Sequence, residues 1–395
     1  MKRLALLLAF LPLPLLARDL PPQVAPALKP FVDDHTISGA VTLIVGKEGV
    51  RSLESVGLRD LESKEPMPKD AMFWIASMTK PMTSMALMML VEEGKLSIDD
   101  PVEKHLPEFK GQMLVAEKTP DHTVLKKPSR AITIKDLLTH TSGLIGKSPL
   151  EASALDKLTL REAVLTYALS PLTFEPGSKW SYCNPGINTL GRLVEVASGK
   201  PFEVFMQERF FNPLGMKDTT FWPNNAQLSR LATSYKPKAD NTGLEATTVT
   251  YLSPVLGDHK RMPMPAGGLF SCARDLARIY QMVLNEGTLD GHRYLKAETL
   301  KLMTTNQLGD LPKVSFAEGM AMGLGFHIVK TAQGVTESLS PGSFGHGGAY
   351  GTQAWIDPSR GLAIVLLIQR AGLPNSDQSE MRRVLQKTAV EVFAK

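Results

Sequence analysis

Cysteine is nearly absent: Cys183 and Cys272 are the only two in 395 residues. Two cysteines make no disulfide framework, so the fold must be held by burial. They could pair in an exported protein, but two separate buried thiols is the simpler reading. Histidine is also sparse, and its eight copies include no H-E-x-x-H and no pair at i, i+4. No metal and no cofactor are therefore expected. No G-x-S-x-G elbow occurs, which sets aside the α/β-hydrolase solution to nucleophilic catalysis. Internal repeats and low-complexity tracts are missing too. Nor is there an excess of one charge: Lys+Arg is 44 against Asp+Glu 40, a net +4. A pI of about 8.8 without a clustered basic stripe is no argument for nucleic acid. What remains is an ordinary globular mixture, 43% hydrophobic and 21% charged, long enough to bury more than one core.

The N-terminus speaks for export. Lys2-Arg3 forms a short positive region, Leu4 to Leu16 is apolar apart from Pro12 and Pro14, and Ala17 offers a small residue before Arg18-Asp19. That pattern is a secretory leader over residues 1–17. The run is shorter than the roughly 20 apolar residues of a spanning helix. A cleaved leader leaves a periplasmic or secreted protein without stable membrane insertion; the other reading is a retained anchor. Removing Lys2 and Arg3 lowers the net charge to +2.

The rest divides by pattern. Residues 39–58 read as two strands around the turn Lys47-Glu48-Gly49. Residues 77–93 read as a helix with Met78, Met82, Met85, Met89 and Leu90 on one face and Gly94 as its stop. Short helices are expected at Ile134–Thr139, from Asn184-Pro185 to Gly199, and at Pro201–Phe211. The loops at 111–130 and 236–265 are polar enough to rim a cleft, and the acyl pocket depends on these and on 308–343. The end returns to strands at Ala349–Ile356 and Leu362–Ile368, then a closing helix at 376–394. The fold class expected is α/β, an α+β sandwich. One antiparallel sheet draws on both chain ends (18–100 plus 260–395), flanked by helices, with a mostly helical domain inserted at 101–259.

Three signals carry chemistry. Ser77-Met78-Thr79-Lys80 puts a hydroxyl and an amine one helical turn apart. A lysine in a dry site can lose its charge and accept the serine proton, and a helix N-terminus favours developing negative charge. Tyr182-Cys183-Asn184 offers a phenol that could act as a base between two cations. Its asparagine could donate to a substrate carbonyl, or merely cap the helix. Gly345-His346-Gly347-Gly348-Ala349 lets backbone approach a ligand closely. It should lead into a strand whose edge binds an extended substrate, with the Ala349 N–H as a second oxyanion donor.

With these in order, the sequence resembles the serine β-lactamase and penicillin-binding protein superfamily. It is most similar to the branch holding class C β-lactamases, D-alanyl-D-alanine carboxypeptidases and β-lactamase-like carboxylesterases. The resemblance runs from about 30 to 390. It includes Ile75-Ala76-Ser77-Met78-Thr79-Lys80-Pro81, Leu137-Leu138-Thr139-His140-Thr141-Ser142-Gly143-Leu144, Ala266-Gly267-Gly268-Leu269 and Phe344-Gly345-His346-Gly347-Gly348. It implies that Ser77 is the nucleophile of an acyl-enzyme and Lys80 its proton partner. Tyr182 would help activate the serine, protonate the leaving group and later activate water. Asn184 would contact the acyl side chain, and His346, Gly347, Gly348 and Ala349 would bind substrate.

One departure matters. His346 stands where many relatives carry the lysine of Lys-Thr-Gly, which helps hold an anionic carboxylate. Gly347 lacks the hydroxyl. The expectation is therefore an exported serine hydrolase of esters or amides, a carboxylesterase or D-amino-acid peptidase acting on small molecules or peptides. The alternatives are a class C-like β-lactamase and a penicillin-recognising cell-wall sensor with slow turnover. His140, in the Thr-His-Thr-Ser-Gly turn, is expected to be structural.

Overall fold

The strand formed by Gly39–Gly46 has a side chain for each of two cores. Val41, Leu43 and Val45 face one hydrophobic cluster, while Ala40 and Ile44 face another. That is the period of two expected of a strand covered on both sides. The structure is a computed structural model that describes residues 23–151, 153–312 and 314–394. The expected leader at 1–17 lies outside them.

Eight strands make the main sheet. In chain order they are β1 (Gly39–Gly46), β2 (Gly49–Asp60), β3 (Glu65–Pro66), β4 (Met320–Met322), β5 (His327–Val329), β6 (Phe344–Gly347), β7 (Gln353–Asp357) and β8 (Leu362–Leu367). Their spatial order is β4-β5-β6-β7-β8-β1-β2-β3, and every pairing is antiparallel. The two chain ends meet where β1 pairs with β8, Thr42 opposite Leu366. On β8, Ala363, Val365 and Leu367 join the first cluster, and Leu362, Ile364 and Leu366 the second.

Helices cover both faces. On one side lie α1 (Thr79–Glu92), α2 (Asn184–Ser198) and α3 (Ala273–Leu284). On the other, α4 (Glu380–Phe393) packs Met381, Leu385 and Ala389 against β8 and Trp355. Fully burying such a side chain is worth about 1.5–3 kcal/mol, so the sheet is held from both sides by well over a dozen such contributions. Among the described residues, no helix is long and apolar enough to cross a membrane.

Helix α1 differs from the expected single stripe: every residue from Thr79 to Leu90 is buried. It runs through the core between the sheet and α2. Thr79 donates to Ala76 O at 2.7 Å and Thr83 to Pro265 O at 2.8 Å, while the buried Ser84 Oγ has no partner among the described residues.

Helix α2 begins at Asn184 and closes on the left-handed Gly199, φ +71°, as expected. Its cap, however, is Cys183, whose Sγ accepts from Gly186 N at 3.4 Å. Asn184 is the first helical residue, not the cap.

The strand expected at Ala349–Ile356 is broken. Ala349 sits exposed in a turn after β6, and β7 starts only at Gln353. Gly345–Gly347 therefore end a strand instead of leading into one. Nor is β6 an edge strand. β7 pairs along its whole length and β5 pairs with Phe344 and Gly345, so His346 and Gly347 alone keep a free side. The closing helix likewise starts later than expected, after a turn at Ser376–Gln378.

Two expected loops have more order than polarity suggested. Residues 111–130 contain a hairpin, Leu114–Lys118 with Thr123–Lys126. The 236–265 segment continues a hairpin, Ser234–Pro237 with Leu244–Thr247, and is then fixed by a buried ion pair. Arg261 Nε lies 2.6 Å from Asp156 Oδ2, and Asp156 Oδ1 accepts from both N and Oγ of Ser253 at 2.8 Å.

Candidate active site

A short antiparallel pair, Met72–Trp74 with Phe270–Cys272, delivers the chain to the turn before α1. Ala76 sits at φ +46°, a left-handed conformation that costs a non-glycine residue on the order of 1–2 kcal/mol. Surrounding packing holds it: Ile75 N donates to Leu269 O at 3.0 Å, and Thr79 Oγ1, which donates to Ala76 O, accepts from Leu269 N at 3.3 Å. The strained turn leaves Ser77, alone in Ile75–Leu90, partly accessible.

Lys80 lies one turn on, fully buried, with Nζ 2.9 Å from Ser77 Oγ and 2.5 Å from Ala266 O. Both partners are uncharged. Burial holds this amine well below the ordinary lysine range, against a smaller opposing influence of Cys183. An amine so placed can take a proton from the adjacent hydroxyl.

Tyr182 closes the group from a segment 105 residues away, its Oη donating to Ser77 Oγ at 2.8 Å. Lys80 Nζ stands 4.7 Å from the centre of its ring. The expectation of a phenol acidified by two cations is not met. Burial raises the Tyr182 pKa, and the hydrogen bond to Ser77 lowers it only in part. The second cation is missing because His346 is buried and held neutral. Its pKa is well below the usual histidine range, chiefly through burial. Tyr182 is thus a protonated donor in the resting protein.

The recurrent motifs now acquire physical roles. The Thr-His-Thr-Ser-Gly turn positions Tyr182: His140 Nδ1 accepts from Cys183 N at 3.2 Å, and its carbonyl accepts from Ser181 N at 2.9 Å. His140, buried at φ +59°, packs its ring 4.8 Å from that of Tyr182. Ala266-Gly267-Gly268-Leu269 is a backbone cradle: Ala266 O receives Lys80, Gly267 O receives Trp74 Nε1 at 2.7 Å, and Leu269 flanks Ile75 and Thr79.

Beta strand β6 reaches the same spot from the other chain end. A Cβ on Gly348 would stand 2.7 Å from Ile75 O, so only glycine lets the strand end lie against the nucleophile turn. His346 Nδ1 is 2.7 Å from Gly347 O and must donate to it, leaving Nε2 a buried acceptor with no partner among the described residues. Ala349 follows in its turn, and its N–H meets no acceptor among the described residues. Asn184 lies at the start of α2, half-buried, with its side-chain amide unengaged by any described residue.

Several residues near the site gave no sequence signal. Phe316 lies over Tyr182 at 4.9 Å between ring centres, and Trp180 and His327 pack around it. Burial pushes His327 down to about 3. Behind Lys80 runs a buried chain. Tyr167 Oη donates to Glu151, Asn188 Nδ2 donates to Tyr167 Oη at 3.2 Å, and Asn188 Oδ1 accepts from Ala266 N at 3.0 Å. Asn188 therefore fixes the peptide whose carbonyl holds Lys80. Cys183 and Cys272 are both buried and free, and burial pushes their thiols up to about 11 and about 12. Among the described residues, no group of three or more potential metal ligands occurs.

Comparison with known proteins gives the family and the fold. Residues 24–389 match the Beta-lactamase family. Protein Rv1367c of Mycobacterium tuberculosis is 32% identical over 360 residues, covering 87% of this chain and 88% of that protein. Esterase EstB of Burkholderia gladioli is 28% identical over 364 residues, covering 86% and 87%. Among solved structures, EstCE1, described as a hydrolase with promiscuous acyltransferase activity, superposes with a TM-score of 0.77 at 26% identity, covering 93% of this chain and 96% of that one.

Proposed function

The chain belongs to the Beta-lactamase family and is a serine hydrolase of that family; from this premise we propose that it is exported and cleaves ester or amide bonds through an acyl-enzyme on Ser77. Within that reading it is a carboxylesterase or D-amino-acid peptidase, in preference to a dedicated β-lactamase. The observation that carries it is the convergence of Lys80 Nζ and Tyr182 Oη on one oxygen, Ser77 Oγ, at 2.9 and 2.8 Å.

The steps follow from the protonation states. Ser77 Oγ attacks the acyl carbon and its proton passes to the neutral Lys80 amine. As the bond to the leaving group breaks, the Tyr182 phenol delivers a proton to the departing oxygen or nitrogen. The resulting phenolate lies beside the Lys80 ammonium, which stabilises it. In the second half, the phenolate takes a proton from water as that water attacks the acyl-serine. Lys80 returns its proton to Ser77 Oγ as the acid product leaves, and both groups are restored. The Ser77 and Ala349 N–H groups are the proposed oxyanion donors. Asn184 is assigned to the acyl side chain, and His346, Gly347 and Gly348 to the wall along which substrate lies.

EstB is named an esterase, which supports the ester reading. The decisive experiment is a screen of purified mature protein against p-nitrophenyl esters, nitrocefin and D-amino-acid amides. Rapid ester or amide release is expected. A stable adduct with a fluorescent penicillin and no turnover of any substrate would instead mark a sensor.

A further inference from the structure

Around Ser77, positive charge is scarce. Burial holds Lys80 well below the ordinary lysine range, and His140, His327 and His346 below the usual histidine range. A carboxylate does approach. The turn before α4 lays Asp377 against the end of β6, where a Cβ on Gly347 would collide with Asp377 Oδ1. Gln353 Nε2 donates to that oxygen at 3.3 Å. The turn is also tied to the roof of the site: Asn375 Nδ2 and Gln378 Nε2 donate to Phe316 O at 3.2 and 2.9 Å, and the Phe316 ring lies over Tyr182. Burial raises the Asp377 pKa, opposed by Arg382 and by the Gln353 hydrogen bond, and its negative charge is among the influences that raise the Tyr182 pKa.

Arg382 is buried behind this turn, with Nη1 donating to the backbone carbonyl of Asp377 at 2.6 Å and its guanidinium 3.8 Å from the centre of the Trp355 ring. Its charge acts on Asp377 and His327, but it donates no hydrogen bond to the Asp377 carboxylate among the described residues.

We propose that Asp377 is a specificity-determining residue that, with the neutral His346, restricts the enzyme to substrates whose leaving group carries no free carboxylate. The inference rests on the reading of Ser77 as nucleophile and of Tyr182 as the group that protonates the leaving atom. The Asp377 carboxylate abuts Gly347, in the wall assigned to substrate, and an anionic leaving group lying there meets a like charge in a partly desolvated site. Asp377 supplies no positive charge to an anionic leaving group, and the Lys80 ammonium formed during acylation is already matched by the Tyr182 phenolate. Gly347 is part of the device, because a larger residue there would displace the Asp377 carboxylate.

The test uses two matched aryl esters, one whose leaving phenol carries a meta-carboxylate and one with the same group as a carboxamide. For the full mature protein, kcat/KM is expected to favour the carboxamide by about tenfold or more, equivalent to about 1.4 kcal/mol. D377N, which keeps the shape and removes the charge, is expected to narrow that ratio at least severalfold. D377K is expected to narrow it further. Because the readout is a ratio within one variant, partial loss of folded protein does not affect it. Equal rates for the two esters in the wild type, or a preference unmoved by both variants, would overturn the proposal. Loss of activity on neither ester in S77A would instead defeat the nucleophile reading, so the two failures are distinguishable.

Discussion

The Lys80 amine lies 2.9 Å from Ser77 Oγ with no carboxylate among its hydrogen-bond partners. A buried lysine normally recruits an acid to keep its charge. Here burial depresses the pKa with no carboxylate to oppose it, which favours the neutral amine as a base at the cost of stability.

That trade has a pH signature. Activity should rise with pH as the depressed Lys80 pKa is passed, because acylation needs the neutral amine. Stability moves the same way. Between the lowered folded value and the ordinary lysine value near 10.4, the unfolded chain binds a proton that the folded chain does not. Wild type should therefore gain on Lys80→Met as pH rises, by at most about 1.4 kcal/mol per pH unit. Urea unfolding of both proteins from pH 7 to 10 reads the slope; a flat difference would mean a charged Lys80.

Tyr182→Phe removes the donor at 2.8 Å from Ser77 Oγ and leaves the ring under Phe316. Turnover should fall by roughly 10²–10⁴-fold, the usual worth of positioned acid–base catalysis, with the thermal midpoint nearly unchanged. Steady-state kinetics beside a melting curve checks this, and near-wild-type turnover would move the proton-transfer role elsewhere.

Asn188 acts on chemistry only through Ala266 and Lys80. Asn188→Ala should lower kcat more than it raises KM and shift the rising limb of the pH–rate profile, since the carbonyl that holds the amine is released. It should also cost about 1–3 kcal/mol of stability, because Ala266 N and Tyr167 Oη lose a buried partner. A kcat unaffected at full folding would reduce Asn188 to packing.

Breaking the Asp156–Arg261 pair in the 236–265 segment strands a buried charge. Arg261→Met alone should cost about 3–5 kcal/mol, and adding Asp156→Leu should recover much of it. Denaturant midpoints of the single and double variants decide the matter.

Much of this was legible in the sequence because it is periodic or local. The near-continuous apolar runs at both ends declare buried strands, and Gly94 and Gly199 mark helix stops by the left-handed φ they adopt. Ser77 and Lys80 are one turn apart by spacing alone. The shortfalls lie in what only tertiary packing decides. The Ala349 turn breaks a strand that composition made continuous, because β6 must end against Ile75. Cys183 takes the capping position beside a more polar Asn184. Tyr182 stays protonated because burial outweighs its neighbours. Asn188, Phe316 and Asp377 carry no motif, since their importance arises from contacts across 78, 134 and 30 residues of chain, with Ala266, Tyr182 and Gly347 respectively.

The most direct measurement is intact mass after exposure to a fluorophosphonate. Wild type should gain the mass of one phosphonyl group, mapped by peptide digestion to position 77, and Ser77→Ala should gain none while retaining the wild-type melting curve. Equal labelling of the alanine variant would contradict the account at its root.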